Sequence, residues 1–101
     1  MIAHISMLRG RRSPQTMFLI NKRDKLLIEA CRFFPGTSDR EAARRLRTAL
    51  LRYQTSRWRR TRTELGCPHD ADRLDALLWM ILRVRDHVPS EMTIRRALAY
   101  S

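Results

Sequence analysis

The sequence predicts an all-α fold: one small domain, built as a bundle of about four helices. Three observations carry that expectation. Apolar residues recur at three- and four-residue steps through most of the chain. Glycine and proline are scarce, and from Pro14 onward they fall where helix ends would fall: Pro14, Pro35-Gly36, Gly66-Cys67-Pro68 and Pro89. No stretch alternates apolar with polar long enough to read as a paired strand. A chain of 101 residues is one domain's worth, and a domain of that size buries roughly 60–70% of its unfolded surface, enough for a core without staples. Residues 1–14 carry Arg9, Arg11 and Arg12 with no acid and read as a basic flexible tail; residues 15–101 read as a single helical domain. Met7 and Met17 are alternative start positions.

The first helix is expected from about Lys22 to Phe34. Asn21 offers a cap, Asp24 stands three residues on, and Leu27, Ala30, Cys31 and Phe34 share a face. Pro35-Gly36 ends it. Met17 to Ile20 either extends it or forms an apolar lead-in. The second helix has the clearest start: Ser38 followed by Glu41 is a capping box, with Asp39 and Glu41 in the positive first turn. Ala42, Leu46, Ala49, Leu50 and Tyr53 form its apolar stripe, and Arg40, Arg44 and Arg47 a second stripe on another face. It should break at Gln54-Thr55-Ser56, with Ser56 capping a further short turn that carries Trp58. The third helix is expected from Pro68–Asp72 to Arg85 or Asp86. Leu74, Leu77, Leu78, Ile81 and Val84 follow the helical step, and Trp79, Met80 and Leu82 widen the apolar arc, which marks it as the central buried helix. Ser90 then caps a last helix in which Ile94, Ala97 and Leu98 point inward.

Charge is the outlier. Lys and Arg number 21 against 10 Asp and Glu, a formal net charge of +11, and only Lys22 and Lys25 of the basic residues are lysine. Such a field favours polyanionic partners, and a guanidinium grips phosphate with two hydrogen bonds. The arginine-over-lysine bias is equally a mark of a GC-rich genome; the net charge is not. Cys31 and Cys67 are too few for a disulfide scaffold and read as free thiols of a reducing, cytoplasmic interior. The longest apolar run, Leu77 to Leu82, is far below the roughly 20 residues that cross a bilayer, so no membrane role is expected.

Two stretches hold the candidate functional residues. The first is Arg52 to Arg62, with Arg52, Arg57, Arg59, Arg60 and Arg62, three hydroxyl side chains, Tyr53 and Trp58, and no acid. Arginine neutralises phosphate, hydroxyls add bonds to the backbone, and Trp58 is the candidate for stacking on bases. The plain alternative is a solvated basic face with Trp58 anchored in the core. The second stretch is Ser90 to Leu98. Ser90-x-x-Thr93-Ile94-x-Arg96-x-Leu98 resembles the recognition half of helix-turn-helix DNA-binding domains. That resemblance implies that the last two helices form a helix-turn-helix-like pair. It also implies that Glu91, Met92 and Arg96 read base edges in the major groove while Arg95 lies nearer the backbone. The stretch departs from that family in its bulky preceding helix and in a turn, Asp86 to Pro89, without glycine. A capped helix closing the bundle would show the same residues.

No catalytic residues, cofactor or metal are expected. Cys67 and His69 give two ligands where a closed zinc site needs four. Asp70, Asp72 and Asp75 suit a helix N-terminus. His87 beside Asp86 lacks a nucleophile or a glycine-rich loop, and no Walker loop or nucleophile elbow occurs. The expected protein is therefore a small basic nucleic-acid binder, with duplex DNA favoured, RNA as a variant, and Trp79 or Met80 as contacts of a two-fold dimer. Five or six phosphate contacts would give a log–log salt slope of about −4.5 to −5.5. The rival is a helical interaction module that docks an acidic protein without nucleic acid.

Overall fold

The computed structural model describes residues 13–100. They form five helices and no strand: α1 Pro14–Cys31, α2 Asp39–Gln54, α3 Arg57–Thr61, α4 Leu74–Val84 and α5 Glu91–Ala99. The all-α single domain expected from the sequence is what the chain adopts, with the short α3 as the fifth element. The expected tail lies largely outside the described residues.

The first helix starts a full two turns earlier than its apolar face suggests. Ser13 caps it by accepting a hydrogen bond from the Thr16 amide at 3.1 Å, and Pro14 occupies the first helical position, where its missing N–H is no loss. Asn21 is thus interior and caps nothing. The far end comes earlier than expected: the helix stops at Cys31, and Arg32 to Phe34 continue as tighter turns, their amides bonding to Glu29, Ala30 and Cys31 carbonyls. Gly36 takes a left-handed φ of 76°, which favours glycine and turns the chain toward α2. Half of the predicted capping box forms there. Ser38 Oγ accepts from the Glu41 amide at 3.1 Å, but the Glu41 carboxylate turns away to Arg44 and Arg45.

The helix expected from Pro68 begins only at Leu74. The intervening stretch is a loop held by one side-chain bond and one backbone turn: His69 Nε2 lies 2.6 Å from Tyr53 Oη, and the Arg73 amide bonds to the Asp70 carbonyl. Of the three aspartates proposed for the helix start, only Asp75 stands in the first turn. Arg85, in extended conformation, ends the helix. α4 is the most deeply buried helix, with six of its eleven residues in the core. It is not, however, the hub. α2 is the helix that packs against all four others.

The core joins Leu27 and Ala30 of α1, Ala43, Leu46 and Leu50 of α2, Ile81 and Leu82 of α4, and Ile94 of α5. α5 rests on α1 and α2. It makes no close backbone approach to α4, so the last two helices are consecutive but do not pack as a helix-turn-helix-like pair. The physical reason lies in the connection. Arg85 is extended and Val88 and Pro89 are buried, so the chain is carried away from α4 before Ser90 starts the next helix. Arg23, one turn before Leu27, is the charged residue of the core. It is 5% exposed, its guanidinium meets Asp24 at 3.1 Å, and its Nε has no partner among the described residues.

Candidate nucleic-acid interface

The Arg52–Arg62 stretch folds as a corner. α2 ends at Gln54, the chain turns through Thr55 and Ser56, and α3 gives one further helical turn. Two tryptophans hold the corner in place. Trp58 is 5% exposed and its Nε1 donates to Asp86 Oδ1 at 3.1 Å, the same oxygen that Gln54 Nε2 reaches at 3.2 Å. Trp79 is equally buried; its Nε1 donates to the Thr61 carbonyl at 3.0 Å, and the two indoles meet edge to face at 6.5 Å. An indole with both its rings and its N–H satisfied inside the protein is not available to stack on a base. The expectation that Trp58 stacks is therefore corrected: it is an anchor. The same burial removes Trp79 as a dimer contact. Met80 is half-buried and packed on the core.

The arginines go the other way. Arg52, Arg57, Arg59, Arg60 and Arg62 are all exposed. Arg57 is bound to Asp75 across the gap to α4. Arg52, Arg59, Arg60 and Arg62 have no carboxylate within ion-pair distance among the described residues. Four like charges thus sit within eleven residues, mounted on a fixed support and not cancelled locally. By contrast, the stripe on α2 is partly neutralised. Glu41 bonds both Arg44 and Arg45, and those two hydrogen bonds hold its carboxyl down at about 2.

The loop after the corner is fastened to it. Arg83 donates to the carbonyls of Arg62 and Glu64 at 3.0 and 2.8 Å while its guanidinium lies 5.4 Å from the Trp79 ring centre. Tyr53 shares hydrogen bonds with Thr61 and His69, and burial pushes its phenol above the ordinary tyrosine value, so it stays protonated. Between the corner and the first turns of α4 lies an open cleft of about 310 Å³, lined by Arg52, Ser56, Arg57, Leu74, Asp75 and Leu78 among others.

α5 presents the second candidate set. Ser90 Oγ accepts from the Thr93 amide at 3.2 Å, the cap that the sequence indicates. Ile94 and Ala97 are buried, and Glu91, Met92, Arg95 and Arg96 are exposed. Arg95 and Arg96 have no carboxylate within ion-pair distance among the described residues, but acids stand around them. Asp39 of α2 shares a shallow pocket with Met92, Arg95 and Arg96, and the Glu91 carboxylate contributes to the field at Arg44. α5 therefore lies along the N-terminal half of α2, while the arginine corner sits at its C-terminal end. The 16 residues of α2 span about 24 Å, so the two sets are separated by much of that length.

The residues that sequence reasoning missed are the fasteners: Asp86, His69, Arg83 and Thr61. Each acts across a separation of eight or more residues, which no local pattern encodes. Among the described residues, no group of three His, Cys, Asp or Glu could hold a metal ion, and no helix is long and apolar enough to cross a membrane. Cys31 is buried, its thiol pushed up to about 11 by desolvation and by the Asp39 charge. No protein-family model, characterised protein or solved structure matches this chain.

Proposed function

We propose that this protein binds nucleic acid through the α2–α3 corner, clamping the phosphate backbone of duplex DNA. The observation that carries this reading is the set of Arg52, Arg59, Arg60 and Arg62, exposed and without carboxylate partners among the described residues, on a support fixed by buried Trp58. Unneutralised guanidiniums this close together repel one another unless an anion lies between them. Burial of Tyr53 and Trp58 leaves the corner without a stacking platform of its own, which favours the regular phosphate rows of a duplex there. On α5, Arg95 and Arg96 supply at most secondary contacts, because Asp39 and Glu91 share their surroundings.

Four phosphate contacts give a log–log salt slope of about −3.6, shallower than a count of all five arginines plus α5 would predict. Changing Arg59 and Arg60 to Ala brings it to about −1.8 and weakens binding to every duplex sequence alike. Fluorescence anisotropy with two unrelated duplexes at several salt concentrations measures both. Unchanged affinity in the double variant removes the clamp.

The rival, docking of an acidic protein, draws on a different face. Met17, Phe18 and Leu19 are 44%, 66% and 38% exposed on the first turns of α1, more apolar surface than a nucleic-acid clamp requires. RNA duplexes in the same titration test the choice of DNA.

A further inference from the structure

We propose that the cleft beside the corner seats one unpaired nucleobase bearing an exocyclic amino group, next to the backbone that the corner arginines grip. This deepens the nucleic-acid reading and rests on it. At about 310 Å³ the cleft is at the small end of ligand sites, which run from roughly 300 to 1,000 Å³, and it suits a single planar ring better than a peptide. Its lining is mixed in the way a base requires. Ala49, Leu74 and Leu78 supply apolar surface for the ring faces, and Arg52 stands among them without a carboxylate partner for the attached phosphate.

The edge of the base is addressed by the Arg57–Asp75 pair. Both residues line the cleft. Arg57 takes Asp75 Oδ2, and Oδ1 has no hydrogen bond among the described residues. A carboxylate oxygen that only accepts thus stands beside a guanidinium with N–H groups to spare. Cytosine and adenine offer the complement, an amino donor next to a ring-nitrogen acceptor. Thymine and uracil carry a carbonyl where the amino group would be, and it would oppose the carboxylate. The same carboxylate disfavours an acidic peptide, since a glutamate entering the cleft would meet Asp75. Trp58, buried directly before Arg59 and after Arg57, keeps the pair and the clamp in fixed register.

The test uses three hairpin duplexes at one ionic strength: fully paired, with one bulged cytidine, and with one bulged thymidine. The full chain should bind the bulged-cytidine hairpin about tenfold tighter than the other two, the discrimination of one good edge contact. Asp75→Ala should abolish that preference while leaving the paired hairpin bound. Should that variant fold poorly, cytidine monophosphate titrated into the unaltered protein replaces it: amide shifts at Ser56, Arg57 and Leu78, absent with thymidine monophosphate, support the site. Equal affinity for all three hairpins, with the Arg59/Arg60 variant weaker on each, overturns the cleft and leaves the clamp standing. Failure to bind any hairpin, with no shift on adding the mononucleotide, overturns both.

Discussion

The α2–α3 corner and α5 carry the same kind of side chain, yet the structure treats them differently. At the corner, Trp58 and Trp79 are buried and hydrogen-bonded, Arg57 is paired with Asp75, and Arg52, Arg59, Arg60 and Arg62 have no carboxylate within ion-pair distance among the described residues. On α5, one face is buried through Ile94 and Ala97, and the exposed face shares its space with Asp39 and Glu91. From sequence, the arginines of the first stretch suggest a clamp, and the resemblance of the second to helix-turn-helix domains suggests a reader. Placement in the fold makes the first a concentrated positive site and the second a mixed surface. What matters for an anion is which carboxylates the fold brings near: Asp39 reaches the α5 face from α2, and Glu91 stands on α5 itself.

The largest effect should come from breaking the corner's support. Trp58→Ala removes a buried ring and orphans the contact to Asp86, and a loss of about 3–5 kcal/mol in a urea or guanidinium melt is expected. Trp58→Phe keeps most of the packing and loses the Nε1 donor. It should cost about 1–2 kcal/mol and still bind duplex. If Trp58→Phe instead retained full stability but lost binding, the ring would be a ligand contact and the anchor assignment would fail.

A middle-sized effect separates the two regions directly. Arg95 and Arg96 changed together to Ala should lower duplex affinity less than the Arg59/Arg60 pair does, because Asp39 lines the same pocket as both and weakens the field there. The salt slope should drop by less than the about 1.8 expected from two full phosphate contacts. Equal losses in the two double variants would mean that α5 lies on the duplex after all, and a change in base preference in the α5 variant alone would restore a reading role to Arg96.

How much of this was legible in the sequence follows from how far each feature reaches along the chain. The caps at Ser38 and Ser90 are three-residue patterns and are found as expected. The early start of α1 escapes a reading of Pro14 as a stop, because proline is equally at home in the first turn once Ser13 caps it. The late start of α4 has a longer-range reason: Pro68 to Asp72 have helix-start chemistry, but Tyr53, bonded to His69, holds this stretch as a loop. The helix-turn-helix pairing failed on the same ground. Local residues set the cap of α5, while buried Val88 and Pro89 decide which helices it meets. Arg23 falls one turn before Leu27 on the same face, but an arginine at a core position reads from sequence as a solvated charge, and only the packing of other helices buries it.

The smallest effect concerns the surface between the two regions. Glu41 is partly exposed, and its hydrogen bonds to Arg44 and Arg45 lower its carboxyl from an ordinary 4.5 to about 2. A depressed folded-state value contributes stability that is present above the unfolded value and lost as pH falls through the folded one. The difference in denaturation midpoint between the natural protein and Glu41→Gln should therefore be small at neutral pH, because solvent screens an exposed pair. It should shrink further as pH falls from about 4.5 toward about 2. The binding effect has the opposite sign. Removing this carboxylate releases Arg44 and Arg45 midway along α2, so duplex affinity at pH 7 should rise and the salt slope steepen by up to about 1.8. If affinity stays level, the polyanion reaches the corner without crossing α2, and the neutralised stripe is what keeps the contact confined there.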